Sequence, residues 1–373
     1  MKLAIAAPSA STYSETFIHM QMERLPCILR IHGNKGGNET VPGGPIDPRR
    51  SPFGWMDLLR FVKGSDPKGR ASLAEVQRRL HRKGVSVVLA NYGQTGVALQ
   101  PVCKALGIGL VVHFHGYDAH QKSVIEKFGK QYRELGHYCD RIVVVSERML
   151  AALAGLGIPK EKLALIRYGI DPATFGLSLE RPDYPTFFGV GRFVDKKAPY
   201  LSLLAFKEVV KQYPTARLII AGDGPLLDTV HNLVHAFGLG SQVSLPGPLP
   251  HHEVSAHMRH ATAFVQHSIS PRWGDKAGDS EGTPLAVLEA MMTGLPVIAT
   301  RHAGIADVIE DGVSGYLIDE LDVVEMSRAM IRVVRDSDEA ARIGSNARET
   351  ASAHFTADRY IADLQNVIRA AHR

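Results

Sequence analysis

The chain has 373 residues, of which 45% are hydrophobic and 22% are charged, and its formal net charge is +5. This length exceeds what one ordinary hydrophobic core supports, so we expect two domains of roughly 150 to 200 residues. The composition is that of a soluble globular protein, and no apolar run reaches the roughly eighteen residues that a membrane-spanning helix needs. The three cysteines lie far apart, which excludes a disulfide framework and favours a reducing, cytoplasmic compartment.

The positive net charge fits an anionic ligand or an anionic membrane surface. We do not expect nucleic acid as a partner, because the basic residues do not form one stripe with interleaved aromatic residues. The basic segment RRLHRK (78–83) is either a patch for peripheral association with the inner face of the plasma membrane or an ordinary solvated face.

Short β-rich apolar runs alternate with helical patterns in the first half of the chain. The first run, KLAIAA (2–7), is shorter than the hydrophobic region of a signal peptide, and a buried strand explains it better. The later runs are VSVVLAN (85–91), GLVVHF (109–114), RIVVVS (141–146) and LALIRYG (163–169). This alternation predicts βαβ units around a parallel sheet.

A second series of strand-like runs follows a polar stretch with Pro and Gly at 169–186, which we interpret as a linker. The sequence therefore predicts an α/β protein with two doubly wound parallel-sheet domains that face a cleft. Ligands of such sheets bind at the carboxyl ends of the strands. The runs of the second series are FFGVG (187–191), RLIIAGDG (217–224), QVSLPG (242–247), AFVQHS (263–268), PVIAT (296–300) and GYLID (315–319).

The first motif at such a position is VHFHGYD (112–118). His113 and His115 share one face of the predicted strand, and Gly116 permits a sharp turn that would lift His115 into the cleft. Hydrogen-bonded histidines beneath a loop are the alternative.

The second motif is GVGRFVDKKAP, after the first strand of the second series. Arg192 and Lys197 have the chemistry to converge on phosphate oxygens, with solvated charges on a turn as the alternative. Gly189 and Gly191 are spaced as in a dinucleotide-binding fingerprint, but Val194 stands where the third glycine belongs. A nicotinamide-dependent oxidoreductase is therefore not supported.

The third motif is an apolar helix that begins after Glu281. Thr283 is predicted to be its N-cap and Pro284 its first helical residue. The free backbone N–H groups at this end attract phosphate, and Gly282 permits close approach. Because Glu281 would repel a phosphate, we expect it to accept hydrogen bonds from a neutral polyol such as a sugar.

The same helix carries a second carboxylate, Glu289. It falls inside the stripe that Leu285, Leu288 and Met292 are predicted to form. A buried carboxylate needs hydrogen-bond donors, and the two hydroxyls of a bound ribose would supply them. A buried structural ion pair is the alternative.

These motifs, in this order, resemble family 4 of the retaining glycosyltransferases with the GT-B fold, over nearly the whole chain. The strongest element is SEGTPLAVLEAMMTGLPVIATRHAGIADVIEDGVSGYLID (280–319). It is supported by FFGVGRFVDKKAP, LIIAGDGP, HFHGYD and RYGIDPATF. YSETFIHMQMERL (13–25) is similar to the N-terminal segment of members that build bacterial surface polysaccharides.

The resemblance implies transfer of a hexose from a nucleotide-diphosphate sugar to a hydroxyl of a saccharide or glycoconjugate acceptor, which includes lipid-linked ones. UDP-hexose is favoured over GDP-hexose as the donor, the anomeric configuration is retained, and no metal or other cofactor is expected. It also implies an acceptor-binding domain at 1–175, a donor-binding domain at 176–355 and a C-terminal helix at 356–373 that returns to the first domain. Alternatives that stay open are an epimerase or phosphorylase on the same fold and a nucleotide-sugar-binding protein without turnover.

Four charged residues match family positions. Arg192 and Lys197 match the pair that neutralises the donor diphosphate and stabilises the leaving group. Glu281 matches the glutamate that faces the hydroxyls of the donor sugar, and Glu289 matches the one that holds the ribose.

The remaining matches are a histidine and backbone positions. His115 matches the histidine close to the anomeric centre. The amides near Gly282, Thr283 and Leu285 match the helix mouth that meets phosphate and sugar, and the backbone near Leu249 would meet the base.

Overall fold

The computed structural model describes residues 1–8, 15–32, 67–177, 183–274 and 276–372. The chain divides into two compact units. The N-terminal unit contains Met1–Ile166 and Ile361–Arg373, and the C-terminal unit contains Arg167–Tyr360. The sequence-based boundaries, at 175/176 and 355/356, lie nine residues after the first division and five residues before the second.

The N-terminal unit is built on a six-stranded sheet in which every pair of neighbouring strands is parallel. The strand order is β2-β1-β3-β4-β5-β6. Every residue of β1, β3 and β4 is buried, as expected for a parallel sheet that is covered on both faces. The strands are β1 (Leu3–Ala7), β2 (Cys27–His32), β3 (Val87–Asn91), β4 (Gly109–His113), β5 (Arg141–Val144) and β6 (Leu163–Leu165).

Strand β2 was not predicted from the sequence. This strand lies at the edge of the sheet, and most of its positions are only half-buried, so it lacks the continuous apolar run of the central strands. The helices in the described part of this unit are α1 (Thr16–Arg24), α2 (Pro67–Lys83), α3 (Gly93–Leu106), α4 (Tyr117–His120), α5 (Lys122–Tyr138) and α6 (Glu147–Gly155). Helix α1 falls within the motif at 13–25, whose first two residues lie outside the described residues.

The C-terminal unit contains a second six-stranded parallel sheet, with the order β12-β11-β10-β7-β8-β9. All six of its strands coincide with predicted apolar runs. They are β7 (Thr186–Val190), β8 (Arg217–Ala221), β9 (Val243–Ser244), β10 (Ala263–Gln266), β11 (Val297–Thr300) and β12 (Tyr316–Ile318). The prediction of two parallel-sheet α/β units is therefore confirmed.

The helices of the C-terminal unit pack around a core that includes Phe187, Phe206 and Met330. They are α7 (Pro199–Gln212), α8 (Leu227–Ala236), α9 (His251–Arg259), α10 (Leu285–Met292), α11 (Val323–Arg335) and α12 (Ser337–His354). Within the described ranges, no helix of either unit is long and apolar enough to cross a lipid bilayer.

The last helix, α13 (Ala357–Ala370), contains the division between the units. Residues up to Tyr360 belong to the C-terminal unit, and those from Ile361 belong to the N-terminal unit. The predicted return of the C-terminal helix to the first domain is therefore confirmed. Near the division, Ile170 forms an isolated parallel bridge with Thr356.

Candidate active site

The predicted donor-binding residues of the C-terminal unit follow the carboxyl ends of neighbouring strands. Arg192 and Lys197 come after β7, and Glu281 lies in the connection between β10 and α10. Strands β7 and β10 are neighbours in the sheet, so the segments that follow them leave the same edge. This topology brings together residues that are more than eighty positions apart in the sequence.

Lys197 and Glu281 form an ion pair, with 3.3 Å between Lys197 Nζ and Glu281 Oε1. Glu281 is only 8% exposed. Its Oε1 atom makes no hydrogen bond of acceptable geometry with any described residue. Burial alone raises the pKa of Glu281, but the charges of Lys197 and Lys196 outweigh it and lower the pKa to about 2. Glu281 is therefore an ionised acceptor with room for a further donor.

Lys197 itself ends a short 3-10 turn, Asp195–Lys197, and Ala198 follows in the left-handed region, with φ 33° and ψ 54°. Burial lowers the pKa of the Lys197 ammonium, the Glu281 carboxylate raises it, and the net shift is downward. The turn thus holds a poorly solvated cation beside the carboxylate.

A second ion pair runs beside the first. Lys196 Nζ lies 3.1 Å from Asp279 Oδ1, and both side chains are buried. The Lys196 carbonyl also accepts a 2.9 Å hydrogen bond from Ile269 N. The adjacent residues Lys196 and Lys197 therefore each pair with one acidic residue of the segment that follows β10. Lys196 pairs with Asp279, and Lys197 pairs with Glu281.

Arg192 is exposed, and its guanidinium makes no ion pair or hydrogen bond with a described side chain. It lies with Lys197, Gly189 and Gly191 along one surface pocket at the carboxyl end of β7. The two basic side chains predicted to converge therefore line the same pocket, with Lys197 neutralised by an acid and Arg192 available.

Helix α10 begins one residue later than predicted. Pro284, rather than Thr283, is its N-cap, because Pro284 has an extended ψ of 119° and its carbonyl accepts the first helical hydrogen bonds, from Val287 and Leu288. The sequence rule for proline at the first helical position does not apply here, since the chain turns into the helix only at Leu285. The predicted stripe of Leu285, Leu288 and Met292 is part of a wider buried surface: Leu285 is half-buried, and every residue from Val287 to Met292 is buried.

The turn before α10 rests directly on another backbone segment. Gly282 and Thr283 are buried, and a Cβ atom at Gly304 would lie 2.1 Å from the Gly282 carbonyl oxygen. Only glycine at position 304 permits this approach. The turn Ala303–Ile305 thus packs against the Gly282 peptide and fixes its position.

Glu289 is 6% exposed, as its place among apolar residues predicts. Its nearest ionisable partner in the described structure is His251, with 3.9 Å between Nδ1 and Oε1, and its carboxylate makes no hydrogen bond with a described residue. Burial raises the pKa of Glu289 to about 8, although Lys197 lowers it in part. The alternative explanation of Glu289, a buried structural ion pair, has one counterpart among the described residues, the 3.9 Å contact with His251. Burial lowers the pKa of His251 and raises that of Glu289, which disfavours the charged forms of both groups.

Leu249 is half-buried and lies two residues before His251, the first residue of α9. Because His251 approaches Glu289, the backbone near Leu249 and the Glu289 carboxyl belong to one region of the C-terminal unit.

His115 lies in the N-terminal unit, just beyond β4. Its Nε2 is 2.9 Å from Asn91 Oδ1, and its ring stacks on Phe17 with 4.4 Å between the centroids. Its backbone N–H donates to Asp118, which also accepts from Gly93 N. Burial lowers the pKa of His115 well below its ordinary value, so the ring is neutral at pH 7.

Comparison with known protein families identifies both halves of the chain. A model described as Glycosyltransferase Family 4 matches residues 42–174, and one described as Glycosyl transferases group 1 matches residues 174–350. The chain belongs to the family 4 glycosyltransferases.

Three known proteins show what this glycosyltransferase is similar to. WcaL of Salmonella typhimurium, named for colanic acid biosynthesis, is 29% identical over 320 residues, which are 83% of this chain and 78% of WcaL. A GDP-mannose-dependent phosphatidylinositol monomannoside mannosyltransferase of Mycobacterium tuberculosis is 27% identical over 252 residues, 64% of this chain and 63% of its own. The crystal structure of Anabaena HepE with UDP-glucose has a TM-score of 0.76 and 17% identity over 99% of this chain and 100% of HepE. This likeness shows the fold, which is that of GT-B glycosyltransferases.

Several residues around the candidate site of this glycosyltransferase were not predicted from the sequence. Lys196 and Asp279, which form an ion pair, do not belong to a predicted motif position. Lys196 is adjacent to Lys197, and Asp279 lies two residues before Glu281. His302 and Glu320 also escaped notice, yet they follow β11 and β12 and so obey the same carboxyl-end rule. That rule, applied to every strand, would have found them.

Proposed function

We propose that the protein is a retaining hexosyltransferase that uses a nucleotide-diphosphate sugar, with UDP-hexose as the favoured donor and GDP-hexose as the second choice. The observation that carries the proposal is the Lys197–Glu281 ion pair at the mouth of α10. It sets a cation suited to a diphosphate beside an ionised acceptor suited to sugar hydroxyls, at the amino end of a helix.

The diphosphate would bind between Arg192, Lys197 and the amides before Leu285. Arg192 offers a planar fork, and Lys197 offers a compact charge. The free N–H groups of the α10 amino terminus add hydrogen bonds and the positive end of the helix dipole. These groups together would balance the charge of the diphosphate, so we propose that the reaction needs no metal ion.

The nucleoside would be held by Glu289 and by the backbone near Leu249. The buried Glu289 carboxyl lacks hydrogen-bond donors among the described residues, and the two ribose hydroxyls would supply them. The UDP-glucose complex of HepE supports UDP as the nucleotide, whereas the mycobacterial relative is named for GDP-mannose.

In the proposed reaction, the bond between the anomeric carbon and the diphosphate oxygen breaks and the diphosphate takes the electron pair. The acceptor hydroxyl forms its new bond to the anomeric carbon on the same face, and its proton passes to the departing phosphate oxygen. Lys197 and Arg192 stabilise the charge that develops on the leaving group. Glu281 would fix the sugar through its hydroxyls, and we assign to His115 the role that the family resemblance implies, that of the histidine close to the anomeric centre.

We propose a saccharide or glycoconjugate hydroxyl as the acceptor and polysaccharide biosynthesis as the process. The name of WcaL supports this assignment. A lipid-linked acceptor would bring the enzyme to the inner face of the plasma membrane. The exposed basic residues His81, Arg82 and Lys83 at the end of α2 would then meet anionic lipid.

Incubation of the purified protein with radiolabelled UDP- and GDP-hexoses in EDTA tests the proposal. We expect slow hydrolysis of one donor, and NMR of the freshly released sugar should show the anomeric configuration of the donor. Glu281→Gln should abolish this hydrolysis, whereas Glu325→Gln, which changes a half-exposed glutamate in the first turn of α11, should not.

Three outcomes would contradict the proposal. Binding of donors without cleavage, with acceptors present, would indicate a binding protein. Release of an epimerised nucleotide sugar or of a sugar phosphate would indicate one of the alternative activities. Inverted product would refute retention.

A further inference from the structure

Three adjacent strands of the C-terminal sheet each place a polar residue beyond their carboxyl ends. Ser270 follows β10, His302 follows β11 and Glu320 follows β12. These strands are neighbours in the order β12-β11-β10. The sheet therefore brings together three residues that are separated by eighteen or more positions in the sequence.

The three residues form a hydrogen-bonded chain that ends at Glu281. His302 Nδ1 lies 2.7 Å from Glu320 Oε1, and Ser270 N donates to Glu320 Oε2 at 2.8 Å. On the other side of the ring, Glu281 N donates to His302 Nε2 at 3.3 Å, and Ser280 Oγ lies 3.4 Å from the same nitrogen. The His302 side chain is fully buried.

These contacts define the tautomer of His302. A carboxylate oxygen only accepts, so Nδ1 must carry the proton that it donates to Glu320. A backbone N–H only donates, so Nε2 must present its lone pair to Glu281 N. Burial raises the pKa of Glu320, but hydrogen bonds from His302 and Ser270 outweigh it and lower the pKa overall, which keeps Glu320 ionised.

We infer that His302 and Glu320 are positioning residues, which set the backbone of the segment that carries Glu281 and so aim its carboxylate at the donor sugar. The inference rests on the proposed glycosyl transfer, because it assigns the pair to the sugar-facing part of the same site. The contacts reach the Ser280–Glu281 segment, whereas Glu289 lies eight residues further along the chain, inside α10. The pair should therefore influence turnover much more than nucleotide binding.

Glu320→Gln is the sharpest variant because it preserves shape. Ser270 N needs an acceptor, so the new amide must turn its oxygen to Ser270 and its NH₂ group to His302 Nδ1. His302 would then carry its proton on Nε2, where it opposes Glu281 N–H. An amide that imposes the wrong imidazole tautomer lowers turnover while it leaves the geometry intact.

At position 302, two amide variants distinguish the contribution of Nδ1 from that of Nε2. Asn reaches only the place of Nδ1 and leaves Glu281 N without an acceptor. Gln reaches the place of Nε2 and can accept from Glu281 N, so it is the rescue variant. Thr262→Val is the matched control, since Thr262 Oγ1 also accepts a backbone N–H, from Thr186, but at the amino end of β10.

The experiment measures the turnover of donor hydrolysis and the Kd of UDP, which has no sugar to meet Glu281. We expect Glu320→Gln and His302→Asn to lower turnover roughly 10- to 100-fold, on the scale of a displaced catalytic group, with the Kd of UDP changed less than about twofold. His302→Gln should retain more turnover than His302→Asn, and Thr262→Val should match the wild type. Wild-type turnover in Glu320→Gln, or equal losses of turnover and UDP affinity, would overturn the inference.

NMR with ¹⁵N-labelled histidine gives a readout on the wild type that is independent of activity. In the wild type, the His302 signal, assigned by its loss in His302→Gln, should show protonated Nδ1 and unprotonated Nε2. A protonated Nε2 would refute the pair's assigned geometry. If no nucleotide sugar is cleaved by the wild type but the tautomer is as stated, the proposed function fails while the arrangement of the pair stands.

Discussion

Lys197 Nζ lies 3.3 Å from Glu281 Oε1 at the amino end of α10. The ammonium and the carboxylate are therefore each other's main ionic partners in the candidate donor site. A bound diphosphate would compete for the lysine, and a bound sugar would compete for the glutamate. The empty protein thus holds both groups in place with a contact that substrate can exchange for its own.

Neutralising either member of this pair should impair both activity and stability. Glu281→Gln and Lys197→Met should each lower turnover at least about 100-fold through lost transition-state contacts. Each should also lower the thermal midpoint, because the remaining charge is mostly buried and unpaired. The double variant should regain stability, with a coupling of about 0.5–3 kcal/mol in a thermal double-mutant cycle, but no activity. Additive losses of stability would refute the pairing.

The pair also sets an acid limit for stability. Folding lowers the pKa of Glu281 to about 2, so its contribution to the free energy of unfolding is complete above roughly pH 5 and disappears as the pH falls towards 2. Thermal midpoints of the wild type and Glu281→Gln should therefore converge in acid. A constant difference across this range would contradict the lowered pKa.

Arg192 offers a test of diphosphate binding that is free of stability effects. Because its guanidinium is exposed and unpaired among the described side chains, Arg192→Ala should leave the thermal midpoint unchanged. The Kd of UDP should increase roughly tenfold, the scale of one charge-assisted phosphate contact, and this loss should shrink at high salt. Isothermal titration calorimetry at low and high salt measures the Kd of UDP. Arg328→Ala, which removes another exposed arginine, is the control. Unchanged affinity would remove Arg192 from the site.

Glu289 should make donor binding depend on pH. Burial raises its pKa to about 8, so the carboxyl is mostly protonated at pH 7 without ligand. Ribose hydroxyls donate to the ionised form, which lowers the pKa in the complex. Affinity for UDP-glucose should therefore rise as the pH increases towards 8, with proton release at pH 7 that calorimetry in buffers of different ionisation enthalpy detects.

Glu289→Gln is the control for this pH dependence, because it keeps the shape while His251 and Lys197, the other ionisable groups near Glu289, are unchanged. The variant should bind with little dependence on pH. Because folding raises the pKa of Glu289 from 4.5 to about 8, the carboxyl increasingly destabilises the empty wild type as the pH rises through this range, and the loss is complete above pH 8. The variant should therefore gain in thermal midpoint relative to the wild type between these pH values. Equal pH dependence in both proteins would exclude Glu289 as the ribose partner.

Gly304→Ala should displace the turn that precedes α10. The added Cβ would lie 2.1 Å from the Gly282 carbonyl oxygen, so the turn or its support must move. We expect a loss of about 1–3 kcal/mol, seen as a thermal midpoint several degrees lower, together with reduced turnover. Gly240→Ala, where an added Cβ meets nothing within 4 Å, should be neutral. A fully active and stable Gly304→Ala protein would show that the close approach is unimportant.

Much of the fold could be predicted because a buried parallel strand needs a continuous apolar run. β1, β3 and β4 have this signal in full, and all six strands of the C-terminal unit coincide with predicted runs. The edge strand β2 does not, since half-exposed positions carry polar residues such as Arg30. Burial on both faces, rather than strand formation itself, is what the pattern records.

By itself, the sequence determined the two-unit α/β organisation and the main candidates, Arg192, Lys197, Glu281 and Glu289. It could do so because the strand-then-turn rule is local, and because a carboxylate inside an apolar segment is conspicuous by composition alone. The tertiary structure alone decided the partners: Glu281 with Lys197, Asp279 with Lys196 and Glu281 N with His302. Each of these contacts joins segments that are far apart in the chain, and only the order of the strands in the sheet brings them within hydrogen-bonding distance.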